Sequence, residues 1–142
     1  MSGSPSPQEQ ANPPGRVLVV EDQEPLRVAL GDLLLDEGFL VELAADGVQA
    51  VEAAARFVPD VTMMDLRMPG WDGLEATQQI RGRDPLSQVI VFTASDDPAT
   101  RKWAADKGVF CFLHKGVSPD VILEAVAQAL AHKRRLETPS GV

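Results

Sequence analysis

The stretch VTMMDLRMPGWDG, residues 61–73, joins a mostly apolar run to a carboxylate, Asp65, and then to a loop holding Met68-Pro69 and two glycines. A short continuous apolar run suits a strand covered on both faces, as in a parallel sheet. An unpaired carboxylate inside such a strand is costly or stays protonated, so Asp65 belongs at the strand's end, in solvent or facing a positive charge. The same kind of run recurs on either side: RVLVV (16–20), LVELA (40–44), DVTMM (60–64), QVIVF (88–92) and VFCFL (109–113).

The segments between these runs carry helix signals. Asp46 with Gln49, and Asp72 with Glu75, have capping-box spacing. Asp97-Pro98 and Ser118-Pro119 place a good N-cap before proline, and Pro25 opens the first helix in the same way. Gly38 and Gly108 stand where a left-handed residue would end a helix. In the last segment Val121, Ile122, Ala125, Val126, Ala129 and Leu130 form one apolar stripe. The pattern is βα repeated five times. Right-handed crossovers turn it into an α/β domain, a three-layer doubly wound (βα)5 fold with a five-stranded parallel sheet.

At 142 residues the chain is one domain's worth. Residues 1–15, with Pro5, Pro7, Pro13 and Pro14 and little to bury, read as a disordered tail. The domain is expected over 16–135, with a short C-terminal tail over 136–142. A net charge of −8 opposes direct binding to nucleic acid or to an anionic membrane surface. The single cysteine, Cys111, lies inside an apolar run and reads as packing. It allows no disulfide framework, and neither a membrane span nor a signal peptide is visible, so a soluble cytoplasmic protein is expected.

In a doubly wound sheet, functional groups collect just beyond the C-terminal ends of the strands. Those positions hold Glu21 and Asp22, then Asp65, then Thr93 and Ala94, then His114 and Lys115. Two carboxylates ~4 Å apart repel by roughly 4 kcal/mol at an effective dielectric of 20, so three acids need a cation. Hard oxygen ligands suit Mg²⁺, and Lys115 adds a fixed positive charge. Asp65 then becomes a nucleophile between two charge stabilisers, fit to accept a phosphoryl group. Thr93 can donate a hydrogen bond to a phosphoryl oxygen, and small Ala94 leaves room for it.

These motifs, the acidic pair in VVEDQE, the loop DLRMPGWDG, the FTAS segment and the lysine of FLHK, resemble a response-regulator receiver domain of two-component signalling. The likeness covers residues 16 to about 135. The segments MDLRMPGWDGLEATQQIR and HKGVSPDVILEAVAQAL look most like receivers linked to a helix-turn-helix domain, although no such domain fits in the remaining chain. The resemblance implies a flavodoxin-like strand order 2-1-3-4-5. It implies phosphorylation of Asp65 by a sensor histidine kinase or histidine phosphotransfer protein, with Mg²⁺ held by Glu21, Asp22, Asp65 and the backbone carbonyl of Arg67. Thr93, Ala94 and Lys115 would bind the phosphoryl group, and Thr93 with Phe112 would form the switch. The partner downstream is an unknown protein, onward relay of the phosphoryl group stays open, and so does a homodimer.

Two departures matter. Gly116 follows Lys115 where the family commonly has proline, so a trans peptide is expected there, with the ammonium still directed at Asp65. Phe112 lacks the hydroxyl that many relatives carry, which leaves ring rotation as its only switching motion. Against the receiver stand an aspartyl-phosphate phosphohydrolase, weakened because Arg67 occupies the general-acid position, and a receiver-like binding module that is not phosphorylated. His114 reads as a surface side chain, and Trp71 and Trp103 as either packing or partner anchors. His132 to Arg135 read as cations favouring the dipole of the last helical turn.

Overall fold

Each of the five apolar runs supplies a strand of one parallel sheet. The strands are β1 (Arg16–Val20), β2 (Leu40–Ala44), β3 (Val61–Met64), β4 (Gln88–Thr93) and β5 (Cys111–His114). Their order is β2-β1-β3-β4-β5, the flavodoxin-like arrangement. The structure, a computed structural model, describes residues 13–66, 73–94 and 97–138. The helices are α1 (Glu24–Asp36), α2 (Gly47–Phe57), α3 (Gly73–Arg83), α4 (Pro98–Asp106) and α5 (Pro119–Glu137).

Strand alternation assigns alternate residues to opposite faces. Val17, Val19, Val61, Met63, Ile90 and Phe92 pack with Leu30 and Leu34 of α1 and with Ile122, Ala125, Val126 and Ala129 of α5. Leu18, Val20, Met64, Val89 and Val91 pack with Ala50 and Ala53 of α2, Ala76 and Ile80 of α3, and Ala104 of α4. Both layers being apolar explains the unbroken runs of β1, β3 and β4. The edge strands β2 and β5 are only partly covered, as a strand with one neighbour must be.

The helix ends follow local chemistry. Asp46 accepts the Gln49 N–H at 2.8 Å, while the Gln49 side chain accepts the Ala45 N–H, one residue before the cap itself. Asp97 caps α4 through the Ala99 N–H at 3.3 Å and the Thr100 hydroxyl at 2.9 Å. Ser118 makes no side-chain cap bond, and Asp72 lies outside the described residues. Gly38 and Gly108 have φ of 94° and 78°, the left-handed values their sequence positions require. Val58 ends α2 in the same region, φ 52°, although a β-branched residue pays steric strain there.

Two readings are corrected. Val121 is 41% exposed, because a stripe of adjacent pairs is wider than the face α5 buries. Lys133 is not a solvated cation at a helix end: its side chain is 8% exposed, and its ammonium sits 2.6 Å from Asp60 and 3.1 Å from Glu137. Asp60 uses its other oxygen to accept the Arg16 N–H at 2.8 Å. This cluster ties α5 to the N-terminal ends of β1 and β3, the edge opposite Asp65. Burial lowers the Lys133 pKa, but Asp60 and Glu137 outweigh it and the net shift is upward. Lys133→Met therefore costs about 2–3 kcal/mol, below the usual range for a broken buried pair because Asp60 keeps its backbone donor. Urea denaturation at neutral pH checks this, with Asp60→Asn expected to restore most of the loss. The contribution is complete below the ordinary lysine pKa and disappears as pH rises through the raised folded value.

Candidate functional site

The crevice opens where the chain leaves β1 toward β2 on one side and β3 lies on the other. Ladder hydrogen bonds continue one residue beyond the strands and fix the functional positions. The Asp65 N–H donates to Val20 at 3.1 Å, the Glu21 N–H to Ala44 at 3.0 Å and the Lys115 N–H to Thr93 at 3.0 Å. Asp65, Glu21 and Thr93 are thereby held nearly sealed from solvent.

Lys115 reaches across from the edge strand. Its ammonium lies 3.0 Å from Asp65 Oδ2 and 2.7 Å from Glu21 Oε1. The other Glu21 oxygen accepts the Gln23 N–H at 3.1 Å. No cis peptide occurs among the described residues, so Lys115–Gly116 is trans, and the ammonium still points at Asp65.

Charge explains the pKa directions. Burial pushes Glu21 up; the Lys115 and Gln23 hydrogen bonds oppose this, the Asp65 charge adds to it, and the net shift is upward. Burial works to lower Lys115, yet Glu21 and Asp65 outweigh it and raise its pKa above the ordinary lysine value. One ammonium thus serves two buried carboxylates. Asp22 completes the acidic group: one oxygen each from Glu21, Asp22 and Asp65 lie within 4.8 Å of one another. Such a set of hard oxygens fits a small divalent cation.

The remaining candidates fall into place around this centre. Ala94 is exposed beside buried Thr93. Phe112 is partly buried against the α2–α4 side of the sheet, with the Arg101 guanidinium 4.6 Å above its ring centroid. Trp103 packs against the same cluster. His114 is exposed, and its Nδ1 accepts the Gly116 N–H at 3.0 Å, a local turn contact. Arg67 and Trp71 lie outside the described residues.

Two residues at the site escaped the sequence reading. Arg27, in the first turns of α1, donates to the backbone carbonyls of Glu21 at 2.7 Å and Asp22 at 3.3 Å, which holds the acidic loop in place. Its only signal was a cation a few residues beyond an acidic pair. Gly73 begins α3 so close to the end of β3 that an added Cβ would stand 2.4 Å from the Asp65 carbonyl oxygen and 2.8 Å from Leu66 Cα. Glycine at the start of a helix, where it is a poor former, was the signal.

Residues 17–127 match the response regulator receiver domain family. The chain belongs to that family. It is 34% identical over 128 residues to the DNA-binding transcriptional regulator NtrC of Escherichia coli, covering 90% of this chain and 27% of that protein. It is 36% identical over 128 residues to the response regulator MprA of a Mycobacterium species, covering 90% of this chain and 54% of that one. The chain therefore spans between about a quarter and a little over half of these two relatives, and the likeness fits a receiver of the helix-turn-helix-linked subfamily. A CheY-like receiver domain protein of Methanospirillum hungatei has the same fold, with a TM-score of 0.83 at 20% identity over 86% of this chain and 98% of that one. Receiver domains are signalling modules of two-component systems, and this chain is one. No described helix is long and apolar enough to cross a membrane.

Proposed function

We propose that this receiver accepts a phosphoryl group on Asp65 from a sensor histidine kinase or histidine phosphotransfer protein, and signals through a partner protein. The observation carrying this reading is the Lys115 ammonium 3.0 Å from Asp65, at an acidic pocket where Glu21, Asp22 and Asp65 converge. A carboxylate oxygen of Asp65 attacks phosphorus, the bond from phosphorus to the donor imidazole nitrogen breaks with its electron pair staying on that nitrogen, and the imidazole leaves neutral, keeping the proton already held on its other ring nitrogen. Lys115 stabilises the charge gathering on the transferred oxygens, and the Thr93 hydroxyl donates to one of them. Exposed Ala94 leaves the entrance open.

The donor set fits Mg²⁺, which Glu21, Asp22, Asp65 and the Arg67 carbonyl would hold. When bound, the ion would supply a second positive charge toward the phosphoryl oxygens. Arg27 keeps the acidic loop in position for it. The module, assigned to residues 16–135, would work in the cytoplasm. Its action through a protein partner, rather than direct contact with nucleic acid, follows from the net charge of −8. Thr93 and Phe112 form the proposed route from the site to the partner surface.

Incubation with a small phosphodonor and Mg²⁺ is expected to add one phosphoryl group by intact mass, and Asp65→Asn to add none. Uptake by the Asp65→Asn protein equal to wild type would sink the assignment. Turnover of a phosphomonoester would instead favour a phosphohydrolase.

A further inference from the structure

With a net charge of −8, a cation left without a counter-charge stands out on this chain. Lys115, Lys133, Lys102 and Arg56 each sit against a carboxylate. The groove between the C-terminal ends of α3 and α4 departs from that pattern. Thr77, Gln78, Arg81 and Gly82 of α3 line it together with Lys107, the C-cap of α4, around a volume of about 370 Å³, and no carboxylate is among its described lining residues.

Arg81 is fixed there. Its Nη1 donates to the Ser87 carbonyl at 2.8 Å, and its Nη2 lies where a Cβ on Gly108 would approach it to 3.3 Å. Gly108, with a left-handed φ of 78°, turns the chain out of α4, and exposed Lys107 stands immediately before it. A cation at a helix C-terminal end favours the dipole, which accounts for each of the two separately. It does not neutralise them, and neither forms an ion pair among the described residues. Gly82 adds an independent sign. It is exposed in the last turn of α3, its φ is not positive, and a Cβ built on it meets nothing within 4 Å. Alanine would be the better helix former, so nothing inside the fold calls for glycine; the room it leaves lies in the groove, where another backbone can come close.

We propose that this groove docks an acidic segment of a protein partner, with its carboxylates on Arg81 and Lys107 and its backbone passing over Gly82. Like-charge repulsion over the rest of the surface directs such a segment to this groove. Exposed Gln78 offers a donor and an acceptor to the passing chain. The proposal rests on the reading that the module acts through a protein partner, and not on Asp65 as the acceptor, which lies at the opposite edge of the sheet from the Ser87 contact.

The test titrates acetylated, amidated hexaglutamate into the full-length, unphosphorylated, ¹⁵N-labelled protein and follows amide shifts. Failure of docking and failure of Asp65 to accept a phosphoryl group are thereby read separately. Saturable shifts are expected over residues 77–82 and 107–108. Lys107→Gln should weaken binding about two- to fivefold, the factor equivalent to one exposed ion pair. Gly82→Leu keeps every charge but fills the room; it should melt no lower than wild type, leucine being the better helix former, and lose the shifts. No saturable shift in wild type, or equal affinity in wild type and both variants, would overturn the proposal. So would inorganic phosphate at matched ionic strength producing the same shifts at the same concentrations, because the groove would then be a general anion site.

Discussion

Lys115→Met destabilises the metal-free protein by about 3 kcal/mol and at the same time tightens Mg²⁺ binding. The ammonium is the counter-charge shared by Glu21, 1% exposed, and Asp65, 3% exposed. Removing one partner of a buried pair commonly costs about 3–5 kcal/mol. The lower end applies here because Glu21 already favours its neutral form and can take a proton. The pH sign follows from that shift. A carboxyl whose folded pKa is raised contributes stability that is complete below its unfolded pKa and is lost as pH rises through the folded one. Without Lys115 the raised pKa moves further up, so the variant's deficit is largest near neutral pH and shrinks toward acid. A divalent ion meets the same carboxylates without a competing ammonium and restores part of the loss. Denaturation of both proteins at neutral and mildly acidic pH, with and without Mg²⁺, reads all three effects. A variant as stable as wild type without metal, or one indifferent to Mg²⁺, would contradict the electrostatic account.

Gly73→Ala costs about 2–3 kcal/mol and suppresses phosphoryl uptake on Asp65. Alanine is the better helix former, so propensity alone predicts a gain. Sterics decide otherwise: the new Cβ would lie 2.4 Å from the Asp65 carbonyl oxygen and 2.8 Å from Leu66 Cα, and backbone atoms cannot rotate away as a side chain would. Either the start of α3 lifts from the sheet or the end of β3 shifts. Both disturb Asp65, whose N–H is bonded to Val20. Overpacking costs of this order are usual in a close-packed interior. Thermal denaturation and intact-mass phosphorylation measured together test the claim. A variant with higher stability and unchanged uptake would show that the approach of α3 to β3 relaxes freely.

The repeat of strands and helices was legible in the chain because local chemistry dictates it. Runs such as RVLVV and QVIVF have no polar face to offer water, and Asp46, Asp97, Gly38 and Gly108 sit where helix ends need them. The residues at or just beyond the ends of β1, β3, β4 and β5 followed from the expected boundaries, which is why Glu21, Asp22, Asp65, Thr93 and Lys115 could be named together. The likeness of VVEDQE and DLRMPGWDG to receiver motifs supplied the strand order and the family, which periodicity alone leaves open.

What the sequence determined by itself is therefore the set of groups at the C-terminal edge of the sheet and the order in which the chain delivers them. Tertiary structure decided their pairing. That Lys115 spans Glu21 and Asp65, that Arg27 grips the carbonyls of the acidic loop and that Arg101 covers Phe112 all depend on where separate segments meet. The same holds for Lys133, whose neighbours in sequence describe a basic helix end but whose ammonium is buried against Asp60, 73 residues away. Local propensity acts over a turn or a strand. The field at a charged group and the room beside a glycine are set by atoms that sequence distance does not bring near, and only the folded chain places them.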